Sequence, residues 1–269
     1  MAGRRDRRFS AVVPAACPAT ESPDYYGHAE LSGACAVNGK QDDAIPVFQP
    51  FDPHQPVTIT GHHLPHWMQP GCTYFVTFRL DDSLPRDFAE RWHVERREWL
   101  RQRGVDIDAA AGLSEGLARL PQDVQKEFHE RFSALMERKL DELHGSCLLM
   151  NDANRDLVVQ ALRCFHNQRY RLGRYAVLPN HAHALVTPLG PDLKRIGYSW
   201  KHWSATQINR RRGTRGTVWQ AESFDHLVRN AAHLERFDEY IARNPARAGL
   251  REGFTVGHGD EDCSGPVTP

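Results

Sequence analysis

The sequence predicts an α+β protein, an antiparallel-leaning sheet with helices packed on it. Three observations predict it. The run Gly71–Leu80 (GCTYFVTFRL) is dense in β-branched and aromatic residues, as a strand requires. The stretch 174–188 reads as a second strand, interrupted by a kink at Pro179-Asn180. Segments 152–166, 191–209 and 231–243 carry apolar residues at helical spacing, so strands and helices alternate along the chain.

At 269 residues the chain has room for one large domain, or one domain with extensions. Its formal net charge is zero, an average that argues against nucleic acid, but the charge is unevenly placed. From His166 to Gly216 ten basic residues stand against one acid, Asp192. Such a block is the footprint of a phosphate-backbone partner or, more blandly, a solvated helix face. The six cysteines form no C-x-x-C and read as reduced thiols rather than a disulfide framework or zinc knuckle. No apolar run has the length of a membrane span. The apolar segment after the basic Met1–Arg8 is short and broken by Pro14, which does not make an export signal; a cytoplasmic location is expected.

Residues 1–58 hold Gly, Pro, Ser and acids without a sustained period and are expected to be a flexible extension. The domain proper is expected over 59–250. Ser83-Leu84-Pro85 opens a helix running to about Gln102 that presents Phe88, Trp92 and Trp99, and 103–120 is a Gly- and Ala-rich loop. A second helix runs from Pro121 to Leu143 with the stripe Val124, Phe128, Leu135 and Leu143. Together they make a charged helical insertion, 83–146. Cys147–Met150 is a short strand candidate, and the helix 152–166 turns Val158, Leu162 and Phe165 inward. Helix 191–209 aligns Leu193, Ile196, Trp200 and Trp203, and the basic Arg210-Arg211-Arg212 closes it in an exposed turn. Residues 218–220 and 224–229 are short extended pieces. The last helix, 231–243, aligns Leu234, Phe237 and Ile241 and is expected to stop at Asn244-Pro245, since proline cannot continue the ladder. The remainder, 251–269, reads as a loose tail.

His181 and His183 are the residues around which the chemistry gathers. On a strand they share a face, with Cα atoms about 6.5–7 Å apart at roughly 3.3 Å rise per residue, so both imidazoles can reach one divalent ion. Two imidazoles leave room for a carboxylate, an amide or a substrate oxygen. Alone, an H-x-H in a chain with 15 histidines is more often two polar residues on a wet edge strand. Tyr240 and Asn244 add to it, spaced i, i+4 on one helix face. A phenolate is a competent phosphorus nucleophile once a cation lowers its pKa from about 10. A carboxamide can supply an oxygen to a hard divalent ion. The bland readings are a helix-edge tyrosine and a helix-end asparagine.

Pro179-Asn180-His181-Ala182-His183 resembles the metal-binding signature of the HUH single-tyrosine transposases. Trp219-Gln220-Ala221-Glu222-Ser223-Phe224-Asp225-His226 and the run Tyr240 to Leu250 resemble the REP-associated branch, with tyrosine and asparagine where other branches have tyrosine and glutamine. The resemblance spans about Leu64 to Leu250, with 83–146 as an insertion; Leu178 and Ala182 depart from the usual methionine and bulkier apolar residue. It implies a ferredoxin-like HUH nuclease fold that cleaves and rejoins single-stranded DNA. His181, His183 and Asn244 would hold Mg²⁺ or Mn²⁺. Tyr240 would form a 5′-phosphotyrosine intermediate and free a 3′-OH. The implied partner is hairpin DNA of the repetitive extragenic palindrome type, with the protein a monomer or homodimer. Arg210, Arg211, Arg212 and Arg215 are candidates to grip phosphates, and Trp219 is equally a candidate to stack on an unpaired base or to pack in the core. Two other readings are a non-catalytic hairpin-binding protein and a metal-dependent hydrolase without a covalent intermediate.

Overall fold

In the computed structural model, residues 48, 51, 58–60, 66–69, 71–105, 116–117, 119–190 and 192–260 are described. Most of the expected extension 1–58, part of the loop 103–120 and residues 261–269 lie outside them. Strands β1 (Thr58–Thr60) and β2 (His66–Met68) pair with each other as a separate antiparallel ladder. The main sheet holds β3 (Tyr74–Arg79), β4 (Tyr170–Val177), β5 (His181–Pro188), β6 (Phe224–Leu227) and β7 (Thr255–His258). Its order is β6-β3-β5-β4-β7 and each pairing is antiparallel, as the α+β reading expects.

β5 is the central strand, and all eight of its residues are buried. Because side chains alternate, it serves two cores at once. Ala182, Ala184 and Val186 join Tyr74, Val76, Phe78 and Leu172 against α4 (Asp152–Arg163) and α5 (Leu193–Arg212), which contribute Val158, Leu162, Ile196 and Trp200. Leu185 joins Phe75, Ala176, Leu178 and Val228 against Ile241 and Phe237 of α6 (Ala231–Arg247). The buried polar groups of the first core are paired: Trp200 Nε1 donates to Tyr170 Oη (2.9 Å), which donates to the Leu162 carbonyl (2.7 Å).

The insertion carries α1 (Arg86–Gln102), α2 (Gln122–Phe128) and α3 (Ala134–Asp141). It has its own core, in which Trp99, Leu100, Phe128 and Phe132 are buried together. The one helix expected over 121–143 is divided by a π-turn, His129–Ser133. A π-turn adds a residue to one turn and so shifts the side-chain phase. Phe128 and Phe132 pack on α1, whereas α3 turns Glu137 and Asp141 toward α6.

Four further expectations are corrected. Leu148–Met150 is a 3₁₀ turn and not a strand; its tie to the sheet is a single bond, Leu149 N–H to the Pro179 carbonyl (3.0 Å). The helix α6 does not stop at Asn244 but runs through Pro245 to Arg247. Proline removes only the bond to the Ile241 carbonyl, while Ile241, Asn244 and Pro245 stay buried on the packed face. The helix ends in a Schellman motif, with Gly249 at φ 67°, Gly249 N–H on Ala246 O and Leu250 N–H on Pro245 O. The stretch read as a loose tail contains β7, which pairs with β4 at the sheet edge. Cys164, read as a reduced thiol, is disulfide-bonded, whereas Cys147 is a thiol and the Cys72 thiol donates to Gln69 Oε1 (2.8 Å).

Candidate active site

His181 and His183 lie on the α6 side of β5, buried to 0% and 1% exposure. Their Nε2 atoms point at one another across 3.0 Å. Each ring is held from behind through Nδ1. His183 Nδ1 meets Thr77 Oγ1 at 2.7 Å, the residue opposite it on β3, and His181 Nδ1 meets Asn180 Oδ1 at 2.7 Å. The Asn180 amide has one consistent orientation, because its Nδ2 donates to the carbonyls of Leu140 and His144 (3.3 Å each). Its Oδ1 therefore accepts, the proton of His181 sits on Nδ1, and Nε2 carries a lone pair. Ala176, on the other neighbour of His183, is small enough to leave the ring its room.

Burial decides the charge of both rings. Desolvation lowers the His181 pKa to about 4, opposed by the Asn244 side chain. Desolvation, then His181 and Arg247, push His183 well below its usual value. Both imidazoles are neutral at pH 7, the state in which nitrogen binds a metal.

From α6, Tyr240, Asn244 and Arg247 recur at i, i+4 and i+7 and share one face. The Tyr240 ring stands edge-on to His183 (centroids 5.3 Å) and to Phe75 (5.7 Å), and the Arg247 guanidinium lies 4.8 Å from its centroid. The phenol is pushed well above its ordinary pKa by burial first, then by Glu137 and Asp141 of the insertion; Arg247 and Asn244 oppose them. Asn244 is fully buried, and neither atom of its carboxamide completes a hydrogen bond among the described residues, although it lies against both His181 and Tyr240. An unpaired buried amide costs about 1–3 kcal/mol.

That orphaned amide is the test of whether the residues fit a metal. Two neutral imidazole nitrogens 3.0 Å apart lie within the span that one ion, bound at about 2.1 Å by each, can share. An amide oxygen lacking a partner lies beside them. Thr77 and Asn180 are the outer partners that such ligands need to hold orientation. The donor set fits a divalent ion. No cluster of three His, Cys, Asp or Glu residues suited to a metal exists among the described residues, so the third ligand would be the amide.

No protein-family model and no curated protein matches the chain. Among solved structures, a REP-associated tyrosine transposase bound to a REP hairpin is similar at 17% identity and TM-score 0.35, over 68% of this chain and 72% of that one.

The structure brings His181, His183, Tyr240 and Asn244 together and separates the other candidates from them. Trp219 is 5% exposed, edge-on to Phe78 (4.9 Å), with Nε1 donating to Ser204 Oγ (2.9 Å). It is a core residue and offers no face to a base. Arg210, Arg211, Arg212 and Arg215 are exposed, but α5 packs on the alanine face of β5, so the basic block does not surround the histidines. It lies at the same end of the sheet: Arg211 and Arg212 line a shallow groove with Leu148 and Met150, beside the Leu149–Pro179 hydrogen bond. Arg210–Arg212 also occupy the last turn of α5, where positive charge complements the helix dipole. Sequence reasoning missed Thr77, Glu137, Asp141 and Arg247, and the anchoring role of Asn180. Arg247 could have been found from its i+7 spacing to Tyr240; for Thr77, Glu137 and Asp141 no local signal exists.

Proposed function

We propose that this protein is a DNA strand transferase that cleaves and rejoins single-stranded hairpin DNA, with Tyr240 as nucleophile. The observation that carries the reading is the pair of neutral, anchored imidazoles sharing one point beside the Tyr240 ring and the unpaired Asn244 amide. The hairpin substrate, of the REP type, comes from the motif resemblance at 179–183 and 240–250.

In this reading His181, His183 and Asn244 hold Mg²⁺ or Mn²⁺. When bound, that ion supplies Lewis-acid polarisation of the scissile phosphate. Tyr240 Oη attacks phosphorus as the P–O3′ bond breaks, and the proton it gives up is balanced by the one the leaving O3′ takes up, leaving a 5′-phosphotyrosine and a free 3′-OH. Attack by a 3′-OH reverses the step, so no nucleotide cofactor is consumed. Thr77 and Asn180 keep both Nε2 atoms directed at the same point. Ligation by His183 through Nε2 needs its proton on Nδ1, and the Thr77 hydroxyl 2.7 Å away can accept that N–H. Phe75 and Phe237, stacked at 4.4 Å, wall the site on the β3 side and keep the electrostatics of the centre strong.

A monomer or homodimer is the expected state, and among the described residues no helix is long and apolar enough to cross a membrane. The test is a denaturing gel of protein mixed with labelled single-stranded hairpin oligonucleotides and Mg²⁺ or Mn²⁺. A covalent band that needs the metal and disappears in Tyr240→Phe is the expected result. Cleavage without an adduct would make the protein a hydrolase, and tight binding with neither would make it a hairpin-binding module.

A further inference from the structure

We propose that the helical insertion is part of the catalytic centre: Asp141 of α3 holds Arg247 against the ring of Tyr240, and both act as positioning residues for the nucleophile. The proposal rests on the reading of Tyr240 as nucleophile.

Two ties run from the last turn of α3 into the site. One passes through Arg247, whose Nη2 lies 3.8 Å from Asp141 Oδ2 and whose guanidinium covers the Tyr240 ring at 4.8 Å. The other passes through Asn180, which donates to the carbonyls of Leu140 and His144 and accepts from His181. A single helical turn thus sets both the metal-facing imidazole and the attacking ring. The placement of Asp141 is costly in three ways. It is the final residue of α3, where the helix dipole disfavours negative charge. Desolvation raises its pKa, with only Arg247 opposing. Its Oδ1 is buried without a hydrogen bond among the described residues. Glu137, one turn earlier on the same face, is likewise raised by desolvation and opposed first by Arg247. Two desolvated carboxylates converge on one arginine, and that arginine lies over the ring of one tyrosine. A guanidinium over an aromatic face restrains the ring and favours growing negative charge on its oxygen.

An ordinary structural ion pair would share these distances, so the test separates the two roles. Full-length Asp141→Asn, Asp141→Glu, Arg247→Lys and the double exchange Asp141→Arg/Arg247→Asp are compared in four readouts. These are adduct rate at saturating hairpin DNA, DNA Kd, Tm, and the ¹⁹F resonance of residue 240 in 3-fluorotyrosine-labelled protein, assigned with Tyr240→Phe. Asp141→Asn and Arg247→Lys are each expected to slow adduct formation by about tenfold with Kd unchanged, the cost of a misplaced reacting group. Asp141→Glu should recover most of the rate. The double exchange should restore Tm but not the rate, because a carboxylate then faces the ring. In Asp141→Asn the residue 240 resonance should shift with no DNA present. A double exchange that restores the rate together with Tm would overturn the proposal, as would an Asp141→Asn protein with normal rate and unshifted resonance. If wild-type protein forms no adduct, the nucleophile reading fails, and the ¹⁹F shift alone still decides the positioning contact.

Discussion

The two faces of β5 are one residue apart in sequence and differ in what they demand of their neighbours. Ala182, Ala184 and Val186 enter a core in which Trp200 is 1% exposed and its indole N–H is paired. His181 and His183 enter a space as fully buried, yet lined by groups that burial penalises: two imidazoles, a phenol and an amide that completes no hydrogen bond among the described residues. The first face gains stability from excluding water. The second gives some of it up, and the polar atoms it leaves unpaired are the ones a cation and a phosphate would satisfy. Stability and chemistry are thus divided between opposite sides of one strand.

The sharpest test of that division is Tyr240→Phe, which should abolish the covalent DNA adduct while Tm stays close to wild type, checked by denaturing gel and thermal melt. On the closed face, Trp200→Ala should cost about 3–5 kcal/mol in urea unfolding. His181→Ala should cost far less, because it removes a desolvated polar group along with its contacts. Equal costs would break the comparison. Thr77→Val, which leaves His183 Nδ1 without its partner, should weaken Mn²⁺ binding by about 10–100-fold in titration calorimetry with the fold intact.

Acid should act on the polar face first. The pKa of His181 is lowered from 6.5 to about 4 and that of His226, by burial and then His233, from 6.5 to about 3. Below pH 6.5 the unfolded chain binds protons that the folded protein refuses, so stability falls as pH drops and levels off near those lower values. The slope is at most about 1.4 kcal/mol per pH unit for each such histidine. His226→Phe should flatten it, measured by urea unfolding at pH 7 and pH 5. The smallest effect is expected from Arg210, Arg211 and Arg212 changed together to alanine. The adduct rate at saturating DNA should hold, and the dependence of log Kd on log salt should flatten by about 0.7–0.9 for each phosphate that the variant no longer neutralises.

Much of the local architecture was legible. The aromatic, β-branched run 71–80 contains β3, the period of 152–166 contains α4, and the alternation in His181-Ala182-His183 places both imidazoles on one face. The same spacing logic places Tyr240 with Asn244, and it extends to Arg247. Packing overruled local propensity at Pro245 and decided between the two readings of Trp219. Pro245 stays helical because its face is buried, and Trp219 is core because the residues after α5 run back along the end of β3, with Gln220 N–H on the Arg79 carbonyl.

The sequence by itself determined the pairs that chain geometry holds together: two histidines on a strand of period two, and a tyrosine and an amide on a helix of 3.6 residues per turn. Only the tertiary structure decided which faces meet. α6 and not the basic α5 covers the histidines, Thr77 and Asn180 anchor the rings, and a turn of the insertion reaches Tyr240 through Arg247. Those choices follow from burying apolar surface between segments far apart in the chain, and no spacing rule within one segment carries that information.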